Sequence, residues 1–169
     1  MDRLQTMGAY GWDEPSFIAA LREADPDVFV DVRRRRGVRG SRYAFANSNR
    51  LQQILADLGI RYVHRVDLAP SNETRDIVAR DIAERGIGYR DRNSLAPAYV
   101  DAYQAETLTD FDSTDFAESL GPDAETAMLF CVEGIPDACH RSMIADRLTA
   151  DLDIPVEHVR PPEDVGAGR

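Results

Sequence analysis

The sequence predicts a single α/β domain, a mainly parallel sheet with helices on both faces in a Rossmann-like three-layer architecture. Three observations predict it. Short apolar runs alternate along the 169 residues with longer segments whose apolar positions recur at helical spacing. Two of those runs, 28–32 and 127–133, are apolar almost throughout, the pattern of strands covered on both faces. Parallel neighbours need crossover connections, and the intervening helical segments supply them.

Taken in order, "LQTMGAYG" reads as a first strand ending at Gly8 or Gly11, and "EPSFIAALREA" as a helix with Pro15 in its first turn. "VFVDV" is the second strand, its apolar run broken only by Asp31. In "NSNRLQQILADLG" the capping residues Asn47 and Ser48 precede Leu51, Ile54, Leu55 and Leu58 on one helical face, and Gly59 stops the helix. "IRYVHRV" is the third strand and "SNETRDIVARDIAERG" a capped helix closed by Gly86. The middle of the chain carries a helix over 95–108 and a short one near Phe116. "AMLFCVE" is the most apolar strand, "DACHRSMIADRLTADL" the helix behind it, and "IPVEHV" the final strand. The domain spans 1–160, and the Pro- and Gly-containing tail 161–169 is expected to be disordered.

Composition narrows the setting. The hydrophobic content of 43% suits a globular core, and no apolar run approaches the roughly 20 residues of a membrane span. With no signal or transit pattern at the start, a cytoplasmic protein with no membrane partner is expected. Cys131 and Cys139 are too few for a disulfide framework. The net charge is −10, yet all 20 basic residues are arginine, and four of them stand in a row in "DVRRRRGVRGSRYAF". An acidic surface repels nucleic acid, so a polyanion would have to be met by that local patch.

In open parallel sheets ligands sit beyond the carboxyl ends of the strands, which directs attention to the turns after Val32 and Val132. The first holds Asp31, Arg33, Arg35, Arg36, Arg39 and Arg42, with Gly37 and Gly40 allowing the backbone to wrap closely around a ligand. Converging guanidinium forks match phosphate or carboxylate and favour an anion clamp; the competing reading is arginines paired with neighbouring carboxylates or solvated. The second turn, "CVEGIPDACHR", gathers Cys131, Glu133, Cys139, His140 and Arg141. Pro136 and Asp137 suit the start of the helix, which would set Cys139 to Arg141 in its first turn, where N–H groups and the dipole attract anions and acidify a thiol.

Spacing excludes some chemistries at this second turn. A cysteine-phosphatase loop needs arginine six residues after the cysteine, where Asp137 stands, and no Cys-x-x-Cys occurs. Cys131, Cys139, His140 and a carboxylate match no familiar zinc spacing, so no metal is expected, and "GAYG" lacks the G-x-G-x-x-G fingerprint of a dinucleotide site, so no cofactor is expected. Adjacent residues on a helix point about 100° apart, which makes a Cys139–His140 catalytic pair awkward. Asp31 and Glu133 remain as general acid or base, or alternatively as a loop anchor and an ion-pair partner of Arg141. Cys131 reads as a buried small hydrophobe. His64 ends the third strand and can face the same edge, His158 reads as structural, and Tyr10 and Trp12 can stack a base or cover the core.

The motifs "DVR", "RRGVRGSRYAFANS", "GIRYVHRVDLAP" and "LFCVEGIPDACHR", in this order, resemble the family called domain of unknown function 488, with "LAP" marking a sub-branch. The resemblance implies an α/β fold with Asp31, Arg33, Glu133, Cys139, His140 and Arg141 in one site at a sheet edge. The functional expectation is a phosphate-bearing ligand, a nucleotide or nucleic acid, undergoing hydrolysis or glycosidic transfer. The alternatives are a non-catalytic nucleic-acid or nucleotide-binding module and a domain whose arginine loop meets a protein partner.

Overall fold

The computed structural model describes residues 1–162, so most of the tail expected to be disordered lies outside the described residues. Its sheet has five strands, β1 (Arg3–Gly8), β2 (Val28–Asp31), β3 (Arg61–His64), β4 (Thr126–Cys131) and β5 (Val156–Val159), in the spatial order β3-β2-β4-β1-β5. Every pairing is parallel. The α/β architecture read from the alternation of apolar runs is therefore the observed one.

Alternation along the central strands divides the core into two layers. Phe29, Met128 and Phe130 point to the face covered by α1 (Glu14–Ala24) and α2 (Ser48–Asp57), where they pack with Phe17, Leu21, Leu51 and Leu55. Val28, Val30 and Leu129 point to the other face, against α3 (Asn72–Arg85), α4 (Pro97–Tyr103), α5 (Ser113–Ser119) and α6 (His140–Leu152). The chain leaves β2 for one face and β4, its neighbour, for the other. That divergence opens a crevice at the carboxyl ends of the two strands.

Local sequence explains most boundaries. Asp13 caps α1 in a reciprocal box with Ser16, Ser71 caps α3 through the Thr74 N–H, and Gly86 ends α3 in the left-handed region at φ 62°. The predicted 95–108 helix is α4 continued by a π-helical turn, Gln104–Leu108. Two expectations need correction. Asn47 does not cap α2 with its side chain; its Oδ1 accepts the Val38 N–H at 2.7 Å and so ties down the arginine loop. The end of that loop forms a 3-10 turn, Ser41–Ala46, that buries Tyr43, Phe45 and Ala46. Helix α6 starts at His140 rather than near Pro136, because a separate 3-10 turn, Pro136–Ala138, precedes it and Cys139 is an extended N-cap with φ −137° and ψ 139°.

Among the described residues no helix is long and apolar enough to cross a membrane. His158 sits in β5 with its Nδ1 2.7 Å from the Thr6 hydroxyl.

The turn after β4 crosses directly over the end of β1. A Cβ added at Gly8 would stand 2.7 Å from the Glu133 carbonyl carbon and 3.1 Å from the Gly134 Cα, both backbone atoms that cannot swing away. Gly8→Ala is expected to destabilise the fold by about 1–3 kcal/mol through overpacking. Urea denaturation of the variant against wild type measures it.

Candidate functional site

The carboxyl ends of β2 and β4 frame a narrow pocket of about 100 Å³. Arg33, Arg34 and Arg35 line it from the β2 side. Cys131, Val132, Glu133, Ala138, Cys139 and His140 line it from the β4 side, and Pro70, Arg75, Val78, Tyr89, Arg92, Leu95 and Tyr99 close it from the segments between β3 and β4.

The arginine-loop cluster divides into interior and exterior members. Asp31 is fully buried and takes Arg33 in a two-pronged pair, Nε to Oδ1 at 2.8 Å and Nη2 to Oδ2 at 2.7 Å. The Tyr62 hydroxyl donates to Oδ2 at 2.8 Å, Arg33 Nη1 donates to the Ala46 carbonyl at 2.8 Å, and the guanidinium lies 4.8 Å from the centre of the Phe130 ring. His64, half-buried, donates from Nε2 to the Arg33 carbonyl at 2.8 Å. Asp31 thus holds a loop together and does not line the pocket; the two-residue period of β2 sends its side chain to the α1–α2 face with Phe29.

Beyond Arg33 the arginines reach outward. Arg34 donates to the Pro70 and Ala69 carbonyls at 2.8 and 3.1 Å, and Arg35 lies exposed at the pocket rim. Arg36 hydrogen-bonds Tyr62, which raises its pKa, while Arg39 and Arg42 are exposed and stand outside the pocket. Tyr10 does not line the pocket either: its ring packs edge-on to Tyr43 at 5.0 Å with Arg90 4.6 Å above it. Trp12 is buried against Phe17.

On the β4 side Glu133 is 7% exposed, and its carboxylate pairs with Arg92 at 3.0 Å rather than with Arg141. Arg92 is itself buried and stacks 4.6 Å over the Tyr89 ring. Burial, assisted by the nearby Cys139, pushes the Glu133 carboxyl up to about 7, against the pull of Arg92 and Tyr89. Arg141, 1% exposed, donates to the Glu133 carbonyl at 2.5 Å and the Gly134 carbonyl at 3.1 Å. It shapes the turn from behind and does not line the pocket.

Between these groups lie the two thiols and an imidazole. His140 Nδ1 is 4.0 Å from Cys131 Sγ and 3.9 Å from Cys139 Sγ, and its Nε2 donates to the Val32 carbonyl at 3.2 Å. The expected divergence of Cys139 and His140 along a helix does not arise, because Cys139 is extended and only His140 is helical. The Cys131 thiol, hydrogen-bonded to Cys139 and buried, is pushed up. Burial also opposes ionisation of Cys139, but the Cys131 hydrogen bond and the neighbouring Arg141 and His140 outweigh it and hold that thiol well below the ordinary range.

Of the six residues that the family resemblance brings together, Arg33, Glu133, Cys139 and His140 line the pocket, and Asp31 and Arg141 support it from opposite sides. Arg75, Tyr89, Arg92 and Tyr99 also line the pocket and carry no motif in the sequence. Only the burial of an arginine in the polar stretch 88–94 distinguishes Arg92, and burial there is decided by the fold.

The Asp31–Arg33 pair makes a direct prediction. Arg33→Met leaves a buried carboxylate without its partner and is expected to cost about 3–5 kcal/mol. The double variant Asp31→Asn with Arg33→Met should lose less than the sum of the two single variants in chemical denaturation.

Neither the curated proteins nor the solved structures contain a match to the chain. Its sequence does match the family described as Domain of unknown function DUF488 over residues 15–148, which takes in β2 to β4, the arginine loop, the thiol pair and most of α6. The chain therefore belongs to the DUF488 family.

Proposed function

We propose that the pocket is a catalytic site for a phosphate-bearing ligand, a nucleotide or a nucleic-acid strand, with hydrolysis or glycosidic transfer as the reaction. The observation that carries this reading is one buried carboxyl group, Glu133, in a narrow pocket lined by five arginines, Arg33, Arg34, Arg35, Arg75 and Arg92. Arg33 and Arg92 are committed to Asp31 and Glu133, whereas among the described residues Arg34, Arg35 and Arg75 form no ion pair. Their charges are available to an anion at the rim.

In this reading the rim arginines hold the phosphate and Glu133 handles the proton. In hydrolysis the carboxylate takes a proton from a water as the water oxygen attacks, or the carboxylic acid gives its proton to the departing oxygen. Arg92 and Tyr89 fix the carboxyl group in position, and the walls formed by Val78, Leu95 and Tyr99 limit water access. Glu133→Gln is expected to lower kcat by about 100-fold or more while ligand affinity stays within a few-fold of wild type. Turnover of nucleotides and oligonucleotides, followed by mass spectrometry of the products, checks this. Unfolding of the Glu133→Gln variant would instead make Glu133 structural.

A second reading rests on a different observation: Arg39 and Arg42 lie exposed outside the pocket. Such a surface favours docking along a polyanion without chemistry. The two readings separate in a salt series with Arg35→Gln, Arg36→Gln and Arg39→Gln combined. Polymer docking predicts that log affinity for oligonucleotides falls with log salt by about 0.7–0.9 per neutralised phosphate, and that the triple variant flattens the slope. A pocket ligand alone predicts mononucleotide binding that loses affinity on Arg35→Gln but not on Arg39→Gln.

A further inference from the structure

We propose that Cys131, Cys139 and His140 form a three-ligand site for a divalent ion of the zinc type, whose fourth position is reached from the pocket. The site is independent of the reaction proposed above, because it stands on the donor geometry alone.

The donor atoms of the three residues lie within 4.8 Å of one another, and all three residues are buried. Tetrahedral zinc, bound to sulfur at about 2.3 Å and to imidazole nitrogen at about 2.0–2.1 Å, sets sulfur and nitrogen about 3.6 Å apart. The observed separations of 3.9 and 4.0 Å need only a few tenths of an ångström of closure.

Separate elements aim each donor. Cys131 ends β4 in register with Gly8, where close packing fixes the backbone. Cys139 is held extended at the N-cap, which turns its sulfur away from the direction a helical residue would take. His140 donates its Nε2–H to the Val32 carbonyl, leaving Nδ1 as the acceptor that faces both sulfurs. A ring nitrogen hydrogen-bonded to a backbone carbonyl while the other faces the metal is the recurring support of metal-bound histidine.

The donor chemistry selects the ion. Two thiolates and a neutral imidazole favour zinc over the hard cations magnesium and calcium, and their two negative charges balance a divalent ion. On binding, any sulfur still carrying its proton releases it to solvent as its metal–sulfur bond forms. Because all three residues line the pocket, water or a ligand oxygen can take the fourth position, as in three-ligand catalytic zinc sites. The seven-residue gap between the cysteines conceals this convergence in the sequence, since the intervening turn folds back on itself.

The test uses the full chain, purified with its thiols reduced and stripped of metal, then titrated with zinc and with cobalt. One equivalent of zinc should be retained through dialysis. The cobalt form should show thiolate-to-cobalt charge transfer and the intense visible bands of four-coordinate cobalt. Cys139→Ser and His140→Asn should each lose the retained equivalent, whereas Glu133→Gln should keep it, so a failed reaction and a failed metal site are told apart. The proposal is overturned if folded wild type with two free thiols takes up neither ion, or if folded Cys139→Ser and His140→Asn retain zinc as wild type does. Should both variants unfold, the wild-type cobalt spectrum decides, and weak octahedral bands without charge transfer sink the site.

Discussion

The buried pair of Asp31 and Arg33 is the constraint on which the pocket edge of the sheet depends. Two charges removed from water are tolerated because nearly every polar atom of the pair is engaged: both carboxylate oxygens, three guanidinium N–H groups and the Arg33 carbonyl all have partners. Those partners come from β3, from the 3-10 turn at Ser41–Ala46 and from the Phe130 ring of β4. One ion pair thereby joins three adjacent strands to the loop that follows β2. The next arginines, Arg34 and Arg35, leave it pointed at the pocket.

The β4 turn is organised by a second buried arginine used in a different way. Among the described residues Arg141 pairs with no carboxylate; it gathers the carbonyls of Glu133 and Gly134 and so shapes the turn that passes over Gly8. With the backbone held from behind, the Glu133 side chain is free to enter the pocket and meet Arg92. The arginines of this lysine-free chain thus do three jobs: they neutralise buried carboxylates, bind loop carbonyls, and line the pocket. Guanidinium groups suit all three because they present several donors in a fixed plane.

Much of this organisation is legible in the sequence. The five strands and their crossovers follow from apolar runs and helical spacing, and the pocket lies at the strand ends where a parallel sheet would place it. Glu133, Cys139, His140, Arg33 and Arg35 stand in the two turns that the strand ends single out. Arg92 and Tyr89 are invisible there because no local pattern marks a polar stretch that folds back over a sheet edge. Asp31 and Glu133 look alike along the chain, yet strand parity turns one toward α1 and α2 and the turn after β4 delivers the other into the pocket.

By itself the sequence determined the α/β class, the strand-end location of the pocket and its arginine-rich lining within an acidic chain, because these depend on residue type and on periodicities of two and 3.6 residues. Only the tertiary structure decided which charges meet. It paired Asp31 with Arg33 and Glu133 with Arg92, gave Arg141 to backbone carbonyls, and brought Cys131, Cys139 and His140 within 4.8 Å of one another. The physical reason is range: backbone propensity acts over a few residues, whereas a buried charge or donor is satisfied by whichever segment the packed fold brings beside it.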